Sequence, residues 1–181
     1  MITGKNLSLR PIELEDDQLL QQLINDPYVS ENVVGWSLPV SLFTQKDWIQ
    51  SNSSAINYRL VVVDKLTNEA IGVTGLWDID WHNQSAMSAI KLLPEKSKKG
   101  YGTEAIMLSQ AWAFYNVGLR RLYGAILDYN GPSMGAYVKK CGWRVEGCQR
   151  EAIFRKGSWH DLYSVAILKH EFDKMLNAEE F

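Results

Sequence analysis

Residues 90–115 constrain the fold more than any other stretch. An apolar run, Ile90-Lys-Leu-Leu93, stops at Pro94, and a lysine-rich loop follows. Gly100 and Gly102 then flank Tyr101 at the start of a segment in which Ala105, Leu108, Ala111, Trp112 and Tyr115 recur at helical spacing. The pattern reads as strand, loop, helix. The first turn of such a helix carries N–H groups without intrahelical partners and the positive end of the helix dipole, so it attracts phosphate. The two glycines lack Cβ and are free to take positive φ, which lets those donors approach a ligand closely. Lys96, Lys98 and Lys99 add positive charge at the same mouth. On this segment alone, a solvated turn with lysines for solubility is the alternative. Gly100-x-Gly102-x-x-Ala105 also fits a dinucleotide fingerprint with Asp128 as ribose acid. That reading fails on spacing, because Pro94 to Lys99 separate the strand from the first glycine and Asp128 lies too far downstream.

The flanking chain supplies strands and helices around this junction. Leu7-Ser-Leu-Arg-Pro-Ile12 alternates like an edge strand, and Leu19, Leu20, Leu23 and Ile24 give the apolar stripe of a helix that Asp26-Pro27 should break. Residues 28–39 read as irregular, with Trp36 among them, and residues 41–51 read as a second helix. Residues 58–64 and 70–77 form a hairpin, residues 78–84 a turn, and residues 85–93 the strand that delivers the chain to the loop. Residues 121–127 can run parallel to that strand after a helical crossover. Asn130-Gly131-Pro132 starts a helix that Gly142 stops, and two last strands follow over 143–154 and 159–168. The expected architecture is α/β, a mixed sheet with one parallel βαβ step at its centre. At 181 residues, with no low-complexity linker, residues 1–181 read as one domain.

Several motifs together resemble a known family. They are Pro94-Glu95, the Lys99-Gly-Tyr-Gly-Thr-Glu-Ala105 segment, Asn130-Gly-Pro-Ser133 leading to Tyr137 and Gly142-Trp143, then Glu146-Gly147, Arg150 to Gly157 and Trp159-His-Asp161. With the opening Asn6-Leu-Ser-Leu-Arg10-Pro11 and Asp16-Asp17, this order is similar to GNAT-fold N-acetyltransferases, and within them to the ribosomal-protein N-terminal and spermidine acetyltransferase branch. The resemblance implies a mostly antiparallel sheet with a splayed strand pair that binds acetyl-CoA. The diphosphate would rest on the amides of Lys98, Lys99, Gly100, Tyr101, Gly102 and Thr103, the pantetheine would pair with backbone at Leu92 and Leu93, and Asn130 and Ser133 would contact the cofactor from the other side. It implies transfer of acetyl to a primary amine, whether a protein N-terminus, an amino sugar or a polyamine, with Tyr137 as general acid. Trp36, Trp77, Asp78 and His82 are candidates for the acceptor wall.

Departures from the family pattern bear on mechanism. Ser97 stands where the family carries arginine or glutamine, and Lys98 where it carries glycine. Lysine charge and backbone amides would therefore replace a planar guanidinium fork. Met87 occupies a strand position where many relatives have a glutamate, and methionine cannot accept a proton. An α-amino group near pKa 7.7 needs only about 1 kcal/mol to lose its proton at pH 7, against about 4.6 for a lysine-like amine. The missing base thus favours an acceptor of modest pKa, or water held by Asp78, Asp80 or His82. A catalytically inactive CoA-binding or sensor module is the competing reading.

Charge and cysteine content exclude other classes. A net charge of −2 gives no basic field for nucleic acid. No long apolar run suits a membrane, so a soluble cytoplasmic protein is expected. Cys141 and Cys148 have no metal-ligand spacing with the three histidines, so no metal is expected. Edge strands of the C-terminal half are available to pair across a homodimer.

Overall fold

The β-branched run Tyr58–Asp64 (β3) and its partner Glu69–Asp80 (β4) form the hairpin at the centre of the N-terminal half, paired from Tyr58 with Leu76 to Asp64 with Glu69. In this computed structural model, residues 1–35, 38–51, 55–97 and 100–179 are described. β4 runs three residues further than the sequence pattern suggests, because the pairing with Ser85–Leu92 (β5) resumes at Asp80 with Ser85 after a bulge. Ile2–Thr3 (β1) and Leu7–Pro11 (β2) add the outer edge. On the other side lie Arg121–Leu127 (β6), Ser158–Leu168 (β8) and Arg144–Arg155 (β7). The order among the described residues is β1-β2-β3-β4-β5-β6-β8-β7. Every neighbouring pair is antiparallel except β5 with β6, which is the expected parallel step.

Helices cover both faces. Tyr101–Ala111 (α4) crosses over between β5 and β6 and ends in a π-helical stretch, Trp112–Val117. It packs Ala105 and Ile106 onto sheet residues such as Ile71 and Leu122. Lys169–Glu179 (α6) closes the same side through Phe172, which is 1% exposed. The opposite face carries Asp17–Asn25 (α1) and Leu42–Ser51 (α3), whose Leu20, Leu23 and Trp48 pack against Val73 and Leu93. Asp26-Pro27 does end α1, but the chain does not become irregular there. Asp26 Oδ1 accepts the Val29 N–H at 2.8 Å and Pro27 takes the first helical position, so the same dipeptide starts Pro27–Asn32 (α2).

One ion pair fixes α1 to the sheet. Both terminal guanidinium nitrogens of Arg10 on β2 reach the Asp16 carboxylate, at 2.7 and 2.8 Å, and the Glu13 N–H donates to Asp16 Oδ2 at 2.8 Å. Burial alone would raise the Asp16 pKa, but the Arg10 hydrogen bond and the Glu13 N–H more than offset it and hold the carboxyl below its ordinary value. A depressed carboxylate stabilises the fold above its unfolded pKa, near 3.9, and that contribution is lost as pH falls below it. Asp16→Asn should therefore cost about 1–2 kcal/mol in urea denaturation at pH 7. The gap from the parent protein should narrow at pH 3.

Candidate active site

Parallel pairing of β5 with β6 covers only Ser85 to Met87 against Arg121 to Tyr123, yet β5 continues to Leu92 and β6 to Leu127. Beyond Met87 the two strands splay. The Leu93 N–H bonds Ile71 O at 2.9 Å, so 71 with 93 is a hydrogen-bonded pair of the β4–β5 ladder. Alternation then makes 72 with 92 and 74 with 90 non-bonded pairs, whose β5 N–H and C=O groups face the splay. Leu92 thus presents its N–H and C=O to the gap, as a pantetheine amide requires, and Ile90 presents its C=O, with its N–H directed at Tyr137. Leu93 does not, because its N–H is spent on Ile71 and its side chain is buried among α1 and α3.

The loop at the end of β5 opens α4. Gly100 caps the helix at φ 78°, the left-handed region that favours glycine. Gly102 has no positive φ, and a Cβ there would only touch a Leu92 methyl at 3.9 Å. The first helical bond runs from Glu104 N to Gly100 O at 3.1 Å, which leaves the N–H groups of Gly102 and Thr103 without an intrahelical acceptor. The side chain of Tyr101 turns away from this mouth and donates to Asp64 Oδ2 at 2.9 Å. Lys96 is also diverted: its ammonium sits 2.7 Å from Glu69 Oε2 and is not available at the mouth as expected. Lys98 and Lys99 lie outside the described residues. Glu104 anchors the helix start by accepting from Asn6 N, Asn6 Nδ2 and Leu7 N at 2.7, 2.8 and 3.0 Å.

Behind the splay, Gly131–Met134 (α5) runs into a π-helical turn, Gly135–Lys140, in which Cys141 N bonds Ala136 O at 3.0 Å. This turn carries Tyr137 into the cavity wall, 8% exposed and edge-on to Trp143 with ring centroids 4.9 Å apart. Burial raises the phenol well above its ordinary pKa, the neighbouring Cys141 thiol pushes the same way, and a hydrogen bond from the Ile90 N–H opposes both. Tyr137 is therefore neutral and proton-bearing across the working pH range.

The splay opens into a cavity of about 490 Å³ that extends under α1 and α3. Trp77, Met87, Tyr137 and Ser133 line it. No Asp, Glu, His or Cys is among its described lining residues. Asp78 and His82 are outside: Asp78 sits exposed on the β4 bulge at φ 50° with its N–H on Asn57 Oδ1, and His82 is exposed in the following turn. Trp36 lies outside the described residues. Asn130 is buried in the cavity wall, and its amide is oriented by two bonds. Oδ1 accepts the Ser133 N–H at 3.0 Å, and Nδ2 donates to Asn32 O at 2.9 Å. These are two of the four hydrogen bonds a primary amide can make, and they fix Asn130 at the rim. The rest of that rim is held from far along the chain, by Arg155 Nη2 on Val34 O at 3.1 Å and Lys156 on Glu31 at 2.8 Å.

Two cavity residues escape a pattern-based reading. Arg59 on β3 lies 4.7 Å from the Trp48 ring centroid and 5.9 Å from that of Trp77, and Lys91 on β5 faces the same side of the sheet. Their signal in the sequence is a single cation within each of two otherwise apolar strands. Among the described residues no three His, Cys, Asp or Glu side chains cluster to hold a metal, and no helix is long and apolar enough to cross a membrane.

Comparison with known proteins agrees with this geometry. The family described as "Acetyltransferase (GNAT) domain" matches residues 6–144. The chain is 26% identical over 173 residues to the spermidine N(1)-acetyltransferase of Escherichia coli (strain K12), covering 95% of this chain and 91% of that one. It is 25% identical over 171 residues to the SPbeta prophage-derived uncharacterized N-acetyltransferase YokL of Bacillus subtilis (strain 168), covering 94% of each. Among solved structures, the spermidine N-acetyltransferase of Vibrio cholerae in complex with CoA and spermine superposes with a TM-score of 0.85 at 23% identity, over 93% of this chain and 99% of that one. The chain belongs to the GNAT acetyltransferase family, in the neighbourhood of the spermidine N-acetyltransferases.

Proposed function

We propose that the protein moves the acetyl group of acetyl-CoA to a primary amine by direct attack in a ternary complex. The observation that carries this reading is the meeting, in one cavity, of β5 at Ile90, where it has splayed from β6, with the proton-bearing phenol of Tyr137. The CoA diphosphate would rest on the amides at the start of α4, where helix geometry favours an anion. The amine nitrogen attacks the thioester carbonyl, its bond to the acyl carbon forms, and the C–S bond breaks. Tyr137 gives its proton to the departing sulfur and regains one as the ammonium formed at nitrogen deprotonates. A small amine acceptor is supported by the spermidine N(1)-acetyltransferase among the relatives.

A second reading, a CoA-binding module without turnover, is favoured by Met87, which lines the cavity where a carboxylate base would serve. Thiol release from acetyl-CoA with a panel of primary amines separates the two. Amine-dependent release with intersecting initial-velocity lines is the expected result. A protein that binds acetyl-CoA and releases no thiol with any amine of the panel is the binding module.

A further inference from the structure

We infer that the acceptor is a primary amine that also carries a carboxylate or phosphate, and that Arg59 and Lys91 hold that anionic group. The inference rests on the transferase reading and narrows its substrate class.

The sheet register builds the site. Arg59 pairs with Gly75, and Gly75 with Ala89; one row along, Val61 pairs with Val73, and Val73 with Lys91. Residues directly across a pair share a face, and so do residues two apart along a strand, so Arg59 and Lys91 rise diagonally from one surface. Between them the floor is Gly75 and Val73 of β4, with Ala89 beside Gly75, so on the Arg59 row only small residues stand between the cations. Gly75 is held to this by packing, because a Cβ there would lie 2.2 Å from Tyr58 O. Trp48 and Trp77 flank the Arg59 guanidinium and fix where its planar fork sits.

The charge is one-sided. The cavity lining contains two cations and, among the described residues, no carboxylate. Asp78 acts on Arg59 from the exposed end of β4, outside the cavity. Lys91 is pushed below its ordinary pKa first by burial and then by the Arg59 charge, as expected of an ammonium in a partly apolar wall beside a like charge. An anion entering between the two cations relieves both effects. A polyamine adds further positive charge to the same wall.

Position limits the size of the acceptor. Arg59 is two strands from β5, roughly 10 Å across the sheet, and Lys91 adjoins Ile90, whose N–H meets the Tyr137 oxygen. The amine and the anion therefore lie within that span on one small molecule.

The test is steady-state thiol release by the full chain with phenylalanine, O-phosphoethanolamine, phenethylamine and spermidine, alongside acetyl-CoA calorimetry. At least one anionic amine should show kcat/KM roughly tenfold or more above phenethylamine and spermidine, and which one it is separates carboxylate from phosphate. Lys91→Met and Arg59→Gln should each raise the KM for that amine by roughly 10- to 100-fold and leave acetyl-CoA affinity unchanged, whereas Lys91→Arg should keep the preference. Spermidine or phenethylamine used equally well overturns the inference and leaves the transferase reading standing. So does a loss of acetyl-CoA affinity in the two variants, since the cations would then serve CoA phosphates. Silence with every amine, while acetyl-CoA still binds, overturns both.

Discussion

Tyr137→Phe lowers kcat for acetyl transfer about 100-fold or more, the range expected for loss of a positioned general acid, with acetyl-CoA affinity changed by no more than roughly twofold. Phenylalanine keeps the ring against Trp143 and removes only the proton donor. At ordinary values a phenol near pKa 10 protonating a thiolate whose acid lies near 8.5 is uphill by about 2 kcal/mol. Burial raises the phenol further, yet the CoA thiolate forms in the same cavity and its basicity rises for the same reason, so the mismatch is partly cancelled. The raised phenol pKa also shapes the pH profile. Activity should climb as the acceptor amine loses its proton and then hold level, without the fall an unperturbed phenol would cause near pH 10. In stability the sign is that of a raised group: the contribution is complete below the ordinary phenol value and is lost as pH rises through the folded one. Steady-state kinetics of both proteins from pH 6 to 10 check the rate and the plateau. A Phe variant with unchanged kcat removes the phenol from the chemistry.

Trp143→Ala should destabilise the fold by about 3–5 kcal/mol, the usual cost of emptying a large aromatic site in a well-packed core. For a chain of this length that lowers the melting midpoint by about 6–20 °C. Trp143 is 2% exposed and packs edge-on against Tyr137, and its ring would come within 3.8 Å of a Cβ built on Gly124. It braces the Tyr137 ring against β6 at the splay. The variant should therefore also lose kcat at temperatures where it remains folded. Thermal and urea denaturation followed by circular dichroism measure the first effect. A cost under about 1 kcal/mol would mean that the Tyr137 wall is loosely packed.

The order of the strands, the parallel step and the helix that opens at Gly100 were legible because they depend on local signals: apolar alternation, helical periodicity and a glycine that takes φ 78°. Where local and distant contacts compete, the sequence misled. Asp26-Pro27 is both a stop and a start, and only the Val29 N–H on Asp26 reveals the second. Lys96 reads as a cation for the loop until the register of β4 brings Glu69 beside it. Asn130 also donates to Asn32 O, nearly a hundred residues earlier, and the rim residue Val34 is held by Arg155, contacts that no local pattern shows. Arg59 and Lys91 sit in strands that announce themselves by their valines, leucines and isoleucines. That the two cations share one face follows only from the pairing of β3 with β4 and of β4 with β5.

The central claim is that acetyl-CoA occupies the splay beyond Met87 with its acyl group beside Tyr137. Amide NMR of the protein titrated with acetyl-CoA tests this most directly. The account predicts that the Ile90, Leu92, Gly100, Gly102 and Thr103 amides move together with saturation, and that amides of the β7–β8 hairpin tip do not. Saturable binding that leaves those five amides in place would contradict it.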